Sequence, residues 1–124
     1  MTATETRIVK SGDVNLSVKV AGEGPLVIMI HGWPELGHSY RHQIEPVANA
    51  GYTVAVPDMR GYGGSSKPAD PSGYDHDTVA DDIAAIADHL GAKRWVSVGH
   101  DWGSPIAWRT AIRFPDRVAA VFSL

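Results

Sequence analysis

The sequence predicts an α/β domain over residues 1–124, with a mainly parallel sheet of about six strands. An antiparallel N-terminal hairpin opens it, and helices cover both faces. Three observations predict this class. Residues 14–20, VNLSVKV, alternate strictly between apolar and polar, the period of a strand with one wet face. Residues 26–30, LVIMI, are apolar throughout, and residues 52–56 and 95–98 nearly so. Such runs suit strands buried on both faces, as parallel strands are. Segments with helical signals separate these runs, and an alternation of strand and helix implies a parallel sheet.

Each element can be justified in turn. Residues 6–10 form a shorter strand candidate, joined to 14–20 by the turn residues Ser11-Gly12-Asp13. A helix around residues 44–50 ends at Gly51, and Pro46 is expected in its first turn, where a missing N–H costs little. The glycine-rich stretch PDMRGYGGSSKP, residues 57–68, reads as a structural turn. It lacks the Gly-Lys-Ser/Thr order of a phosphate loop, and no helix opens directly after it. Asp58 and Arg60 are expected to pair within it. Residues 77–90 place Val79, Ile83, Ile86 and Leu90 on one helical stripe, with an aspartate at the start and Gly91 to stop it. Residues 104–114 form a helix with Pro105 in its first turn and Pro115 beyond its end. Val118 to Leu124 closes the chain with the composition of an interior strand, yet is expected at the sheet edge.

Composition excludes several functions. The net charge of −3 offers no electrostatic attraction to nucleic acid or anionic lipid. With no cysteine there is neither a disulfide framework nor thiolate chemistry. The N-terminus has no apolar core of signal-peptide type, and no apolar run reaches the roughly 18 residues of a membrane helix. A cytoplasmic protein is the expectation. The six histidines show no H-x-E spacing, and the one pair four residues apart, His38 and His42, is not taken as a ligand pair, so no metal site and no cofactor are expected.

The chemistry concentrates in two turns. Gly99-His100-Asp101-Trp102-Gly103 lies between a predicted strand and a predicted helix, the setting in which a tight turn lifts one side chain above a sheet. The following helix points its N-terminus at the Asp101 carboxylate and favours its charge by roughly 0.3–1 kcal/mol. Asp101 is therefore a candidate anionic nucleophile, with simple helix capping as the competing role. His31-Gly32-Trp33-Pro34 ends the apolar strand 26–30. Its Trp33 N–H, with that of Trp102, is a candidate oxyanion hole. Trp33, Pro34 and Trp102 are the candidate substrate-pocket residues. His100 is expected to pack and His31 to hydrogen-bond locally, while Trp95 and Trp108 read as core or interface anchors.

Three stretches carry a family resemblance: HGWPELGHSYRHQI, GYTVAVPDMRGYGGSSKP and VGHDWGSPIAWRTAIRFPDRV. In order and spacing they resemble the N-terminal part of an epoxide hydrolase of the α/β-hydrolase fold. The resemblance implies that Asp101 attacks an epoxide carbon to form an alkyl-enzyme ester. Water then hydrolyses that ester to a diol, with the Trp33 and Trp102 N–H groups stabilising the oxyanion. It further implies a lid with proton-donating tyrosines, an acidic residue and a base histidine beyond the sixth strand. None of these lies before Leu124, so the expectation is that this chain alone does not turn over.

Two other readings stand beside it. Haloalkane and haloacetate dehalogenases use the same aspartate, and Trp102 suits a halide-holding role. Trp33 favours the epoxide hydrolases, and the arginine that follows the aspartate in haloacetate dehalogenases is absent. The other reading is a non-catalytic hydrolase-like module. Its open last strand, Val118 to Leu124, is expected to pair with a second copy or with a separate C-terminal chain, because exposed apolar edges invite such pairing.

Overall fold

The computed structural model describes residues 3–124. Six strands form one sheet: β1 (Thr4–Ser11), β2 (Val14–Ala21), β3 (Leu26–Ile30), β4 (Thr53–Pro57), β5 (Trp95–Gly99) and β6 (Val118–Ser123). Three helices connect the later strands: α1 (Arg41–Asn49), α2 (His76–His89) and α3 (Gly103–Arg113). The strand order is β1-β2-β4-β3-β5-β6. β1 and β2 form the antiparallel hairpin, β2 meets β4 antiparallel, and the remaining pairs are parallel.

Burial explains the two kinds of strand. All five residues of β3 are buried, because α1 covers one face of the sheet and α2 with α3 cover the other. β2 keeps Val14, Leu16, Val18 and Val20 inside and turns Asn15 to water. On the two-helix face, Ile28, Ile30, Ile83, Ile86, Trp95 and Ala107 form one core. On the other, Val27, Met29, Tyr40, Ile44, Val54 and Val56 form a second. Each large side chain sealed in this way contributes about 1.5–3 kcal/mol.

Several local expectations are corrected. Pro46 stands well inside α1, not in its first turn. A 3₁₀ turn at Gly37–Tyr40 runs directly into α1 and moves the helix start back to Arg41, and Pro46 sits on the exposed side. The start of α2 is capped by Asp75, whose carboxylate accepts the Thr78 N–H at 3.1 Å; such a cap contributes about 1 kcal/mol. Trp95 takes the core alternative, while Trp108, exposed on α3, is left with the interface alternative.

Asp58 and Arg60 do not pair with each other. The loop folds so that Asp58 accepts the N–H groups of Gly37 at 2.9 Å and Gly64 at 3.1 Å. Arg60 instead turns inward and makes two bonds of 2.7 Å to Asp82 on α2. Its third donor reaches the Gly73 carbonyl at 2.8 Å, and the Ser11 hydroxyl donates to Asp82 Oδ1 at 2.7 Å. This buried knot ties the β1–β2 turn, the glycine-rich loop and α2 together below the C-terminal edge of β4.

Candidate active site

β5 ends at Gly99 and α3 begins at Gly103, so the chain reverses within three residues. Asp101 is the only described non-glycine residue in the left-handed region, at φ +58°. Aspartate tolerates that conformation better than most residues, and the cost is of order 1–3 kcal/mol. Close backbone approach makes the turn possible. A Cβ on Gly99 would overlap the Gly103 carbonyl, and one on Gly103 would overlap the Ile30 carbonyl. The turn is stitched by Gly103 N–H to the His100 carbonyl at 2.9 Å and Ser104 N–H to the Asp101 carbonyl at 3.0 Å. Gly103→Ala is therefore expected to lower stability by about 2 kcal/mol, as overpacking outweighs the helix preference for alanine. Urea unfolding would read the loss; an unchanged midpoint would show that α3 can move off β3 freely.

The Trp33 N–H donates to Asp101 Oδ2 at 3.0 Å, across 68 residues of sequence. The Trp102 N–H also reaches this carboxylate, and the two bonds, Trp33 first, hold its pKa below the usual aspartate value. Asp101 is thus an anion at neutral pH. Its side chain does not cap α3: the residue at the cap position is Trp102, and it makes no side-chain cap bond. Gly32 allows the approach, since a Cβ there would overlap the Asp101 side chain.

A cavity of about 280 Å³ opens beside these groups. Trp33 and Trp102 line it, together with Met59, Tyr62, Tyr74 and Ile106. Pro34 does not; it follows on the exposed turn. No local sequence pattern marks the tyrosines and Met59. Their signal was position: the loop after β4 ends on the same edge of the sheet as the loops after β3 and β5, where ligands of open α/β sheets bind.

His100 does not pack. The turn directs it outward, half exposed, with Nδ1 3.3 Å from Glu35 Oε1. Glu35 also accepts the Gly32 N–H at 3.1 Å and the Ser39 hydroxyl at 3.0 Å. The Ser39 hydroxyl, then the His100 contact, hold the Glu35 carboxyl below its ordinary pKa. His31 does bond locally, to the Gly32 carbonyl at 2.9 Å, but also accepts the Met59 N–H at 3.0 Å from the loop after β4.

Comparison with known proteins agrees with this architecture. The alpha/beta hydrolase fold family matches residues 25–124. Epoxide hydrolase A of Mycobacterium tuberculosis is 48% identical over the whole chain, which spans 39% of that protein. An epoxide hydrolase of Caballeronia sordidicola is 43% identical over 94% of the chain, which spans 35% of its length. The crystal structure of Epoxide Hydrolase A from Mycobacterium thermoresistibile superimposes with a TM-score of 0.95 at 44% identity, covering 98% of this chain and 39% of that one. The strand order, the turn that carries Asp101 and these similarities lead to one conclusion: the chain belongs to the alpha/beta hydrolase fold family and is similar to the N-terminal part of its epoxide hydrolases.

Proposed function

We propose that this chain supplies the nucleophilic half of an epoxide hydrolase site. Asp101 attacks an epoxide carbon, forming an ester bond as the ring C–O bond breaks and the alkoxide takes up a proton. Water then attacks the ester carbonyl, releasing a diol and regenerating the carboxylate. The observation that carries this reading is the bond from the Trp33 N–H to Asp101 Oδ2. The Trp33 N–H holds one carboxylate oxygen, Oδ2, and the attack is assigned to the other. The held oxygen becomes the ester carbonyl, and it is the atom that gains charge when water adds. A donor already aimed there favours the second step. A carboxylate suits the first step because displacement at an sp³ carbon needs an anion that hydrolysis can later free. Neither the proton donor for ring opening nor the base for water is assigned among the described residues.

Acid-quenched incubation with an epoxide, followed by peptide mass mapping, tests this. The expected adduct is one epoxide mass on the peptide containing Asp101. Modification elsewhere, or none in a protein completed by its C-terminal part, would sink the reading. One observation favours a second: Trp102, 61% exposed beside the carboxylate, could hold a leaving halide. Halide release from a haloalkane, without diol formation from epoxides, would select the dehalogenase reading.

The sheet edge carries the proposed partner contact. Within the sheet β6 pairs only with β5, and Phe122 and Leu124 are exposed at 56% and 67%. With Val96 and Val98 they line an open apolar groove of about 550 Å³. We infer that this edge pairs with a second copy of the chain or with a complementary C-terminal chain. Phe122→Lys is expected to convert an associated chain to monomer in sedimentation velocity. A monomer before substitution, with no complementary chain bound, would refute the contact.

A further inference from the structure

His31 is a buried titratable group beside the site that the proposed reaction does not use. It is 3% exposed, and the Tyr62 ring packs edge-on against it with centroids 4.8 Å apart. Both of its ring nitrogens are committed. Nε2 lies 3.0 Å from the Met59 N–H, which can only donate, so Nε2 accepts and carries no proton. The proton is then on Nδ1, which donates to the Gly32 carbonyl at 2.9 Å. The partners therefore determine the tautomer.

The Gly32 carbonyl belongs to the same peptide unit as the Trp33 N–H. That unit is trans, the only described cis bond being Trp33–Pro34. In a trans unit the C=O and N–H lie in one plane and point in opposite directions. Two donors hold the oxygen end, His31 Nδ1–H and the Glu35 N–H at 3.0 Å. The opposite end, the Trp33 N–H, donates to Asp101 Oδ2 at 3.0 Å. Rotating this peptide to lose one contact would lose the others.

We infer that His31 is a positioning residue: its neutral, Nδ1-protonated ring clamps the Gly32–Trp33 peptide and so aims the Trp33 N–H at the Asp101 carboxylate. Burial lowers the His31 pKa and outweighs the Gly32 carbonyl bond and the Asp58 and Glu35 carboxylates, which favour the charged form. The ring thus stays neutral at pH 7. Protonation would place an N–H against the Met59 N–H and open the clamp from that side.

The test compares wild type with His31→Asn and His31→Gln in the full chain. Asparagine keeps a donor near the Nδ1 position, whereas glutamine keeps an acceptor near Nε2 and loses that donor. The readouts are the NMR titration of the Asp101 carboxyl carbon and the Trp33 amide shift over the same pH range. The Asp101 midpoint is expected to rise toward the ordinary aspartate value in the Gln variant and to stay low in the Asn variant. The Trp33 amide is expected to stop reporting that titration only in the Gln variant. Equal midpoints in all three, or a rise in both variants, would reduce His31 to a tie between two loops and overturn the proposal. If a variant does not fold, nitrogen NMR of wild type still decides: an Nε2-protonated ring at pH 7 overturns it. The catalytic meaning rests on the epoxide hydrolase reading. There the Gln variant is expected to slow ester hydrolysis by about 10-fold or more, approaching the ~10²–10³ of losing a donor outright. The titration needs no substrate, so it stands or falls separately from that reading.

Discussion

Asp101→Asn is expected to abolish ester formation while leaving the fold in place. Asparagine is close in shape and among the residues that best tolerate the left-handed conformation of this position, φ +58°. Its carboxamide oxygen can still accept the Trp33 N–H, which donates at 3.0 Å in the wild type. What disappears is the anion. A neutral amide is a poor nucleophile, and loss of a reacting group of this kind costs about 10⁴-fold or more. The measurement is the rate of adduct formation on the Asp101 peptide, and of diol formation in a completed enzyme. Thermal unfolding serves as the control and is expected to move little. A variant that still forms the adduct at the wild-type rate would place the nucleophile elsewhere. Cysteine is absent from the sequence, so no thiol could stand in.

The largest effect on stability is expected at Asp82. Its carboxylate is 1% exposed and holds both Arg60 bonds and the Ser11 hydroxyl. Asp82→Ala leaves a buried guanidinium facing a void, and breaking a buried pair by removing one partner costs about 3–5 kcal/mol. Urea unfolding would register this as a lower midpoint. Arg60→Met combined with Asp82→Leu is expected to recover most of the loss, because a buried ion pair is often no better than apolar side chains of similar volume. If Asp82→Ala alone costs less than about 1 kcal/mol, water must already reach the pair. Since Arg60 and Met59 are adjacent, the same variant is expected to loosen the wall of the cavity formed by the loop after β4.

Much of this was legible in the sequence. Five consecutive apolar residues at 26–30 became a strand with those same bounds, since only a strand covered on both faces accommodates such a run. The strand–turn–helix setting of Asp101 was equally plain from glycine placement and the apolar stretch before it. Where the reading failed, the deciding partner lay far away in sequence. Proximity in sequence pairs Arg60 with Asp58, but α2 brings Asp82 against it. His100 was expected to pack, yet the loop after β3 presents Glu35 to it. Pro46 reads as a first-turn residue because the 3₁₀ turn before α1 leaves no periodic apolar mark.

The sequence by itself determined the kinds of element, their order, and which carboxylate stands on the sharp turn. These are properties of period and of short-range sterics, written within a few residues of each other. Tertiary structure alone decided that the Trp33 N–H lies 3.0 Å from Asp101 Oδ2, that Tyr62 and Tyr74 face the same cavity, and that His31 bridges two loops. Those contacts depend on β3 lying between β4 and β5 in the sheet, an adjacency set by how whole strands pair and not by any local pattern.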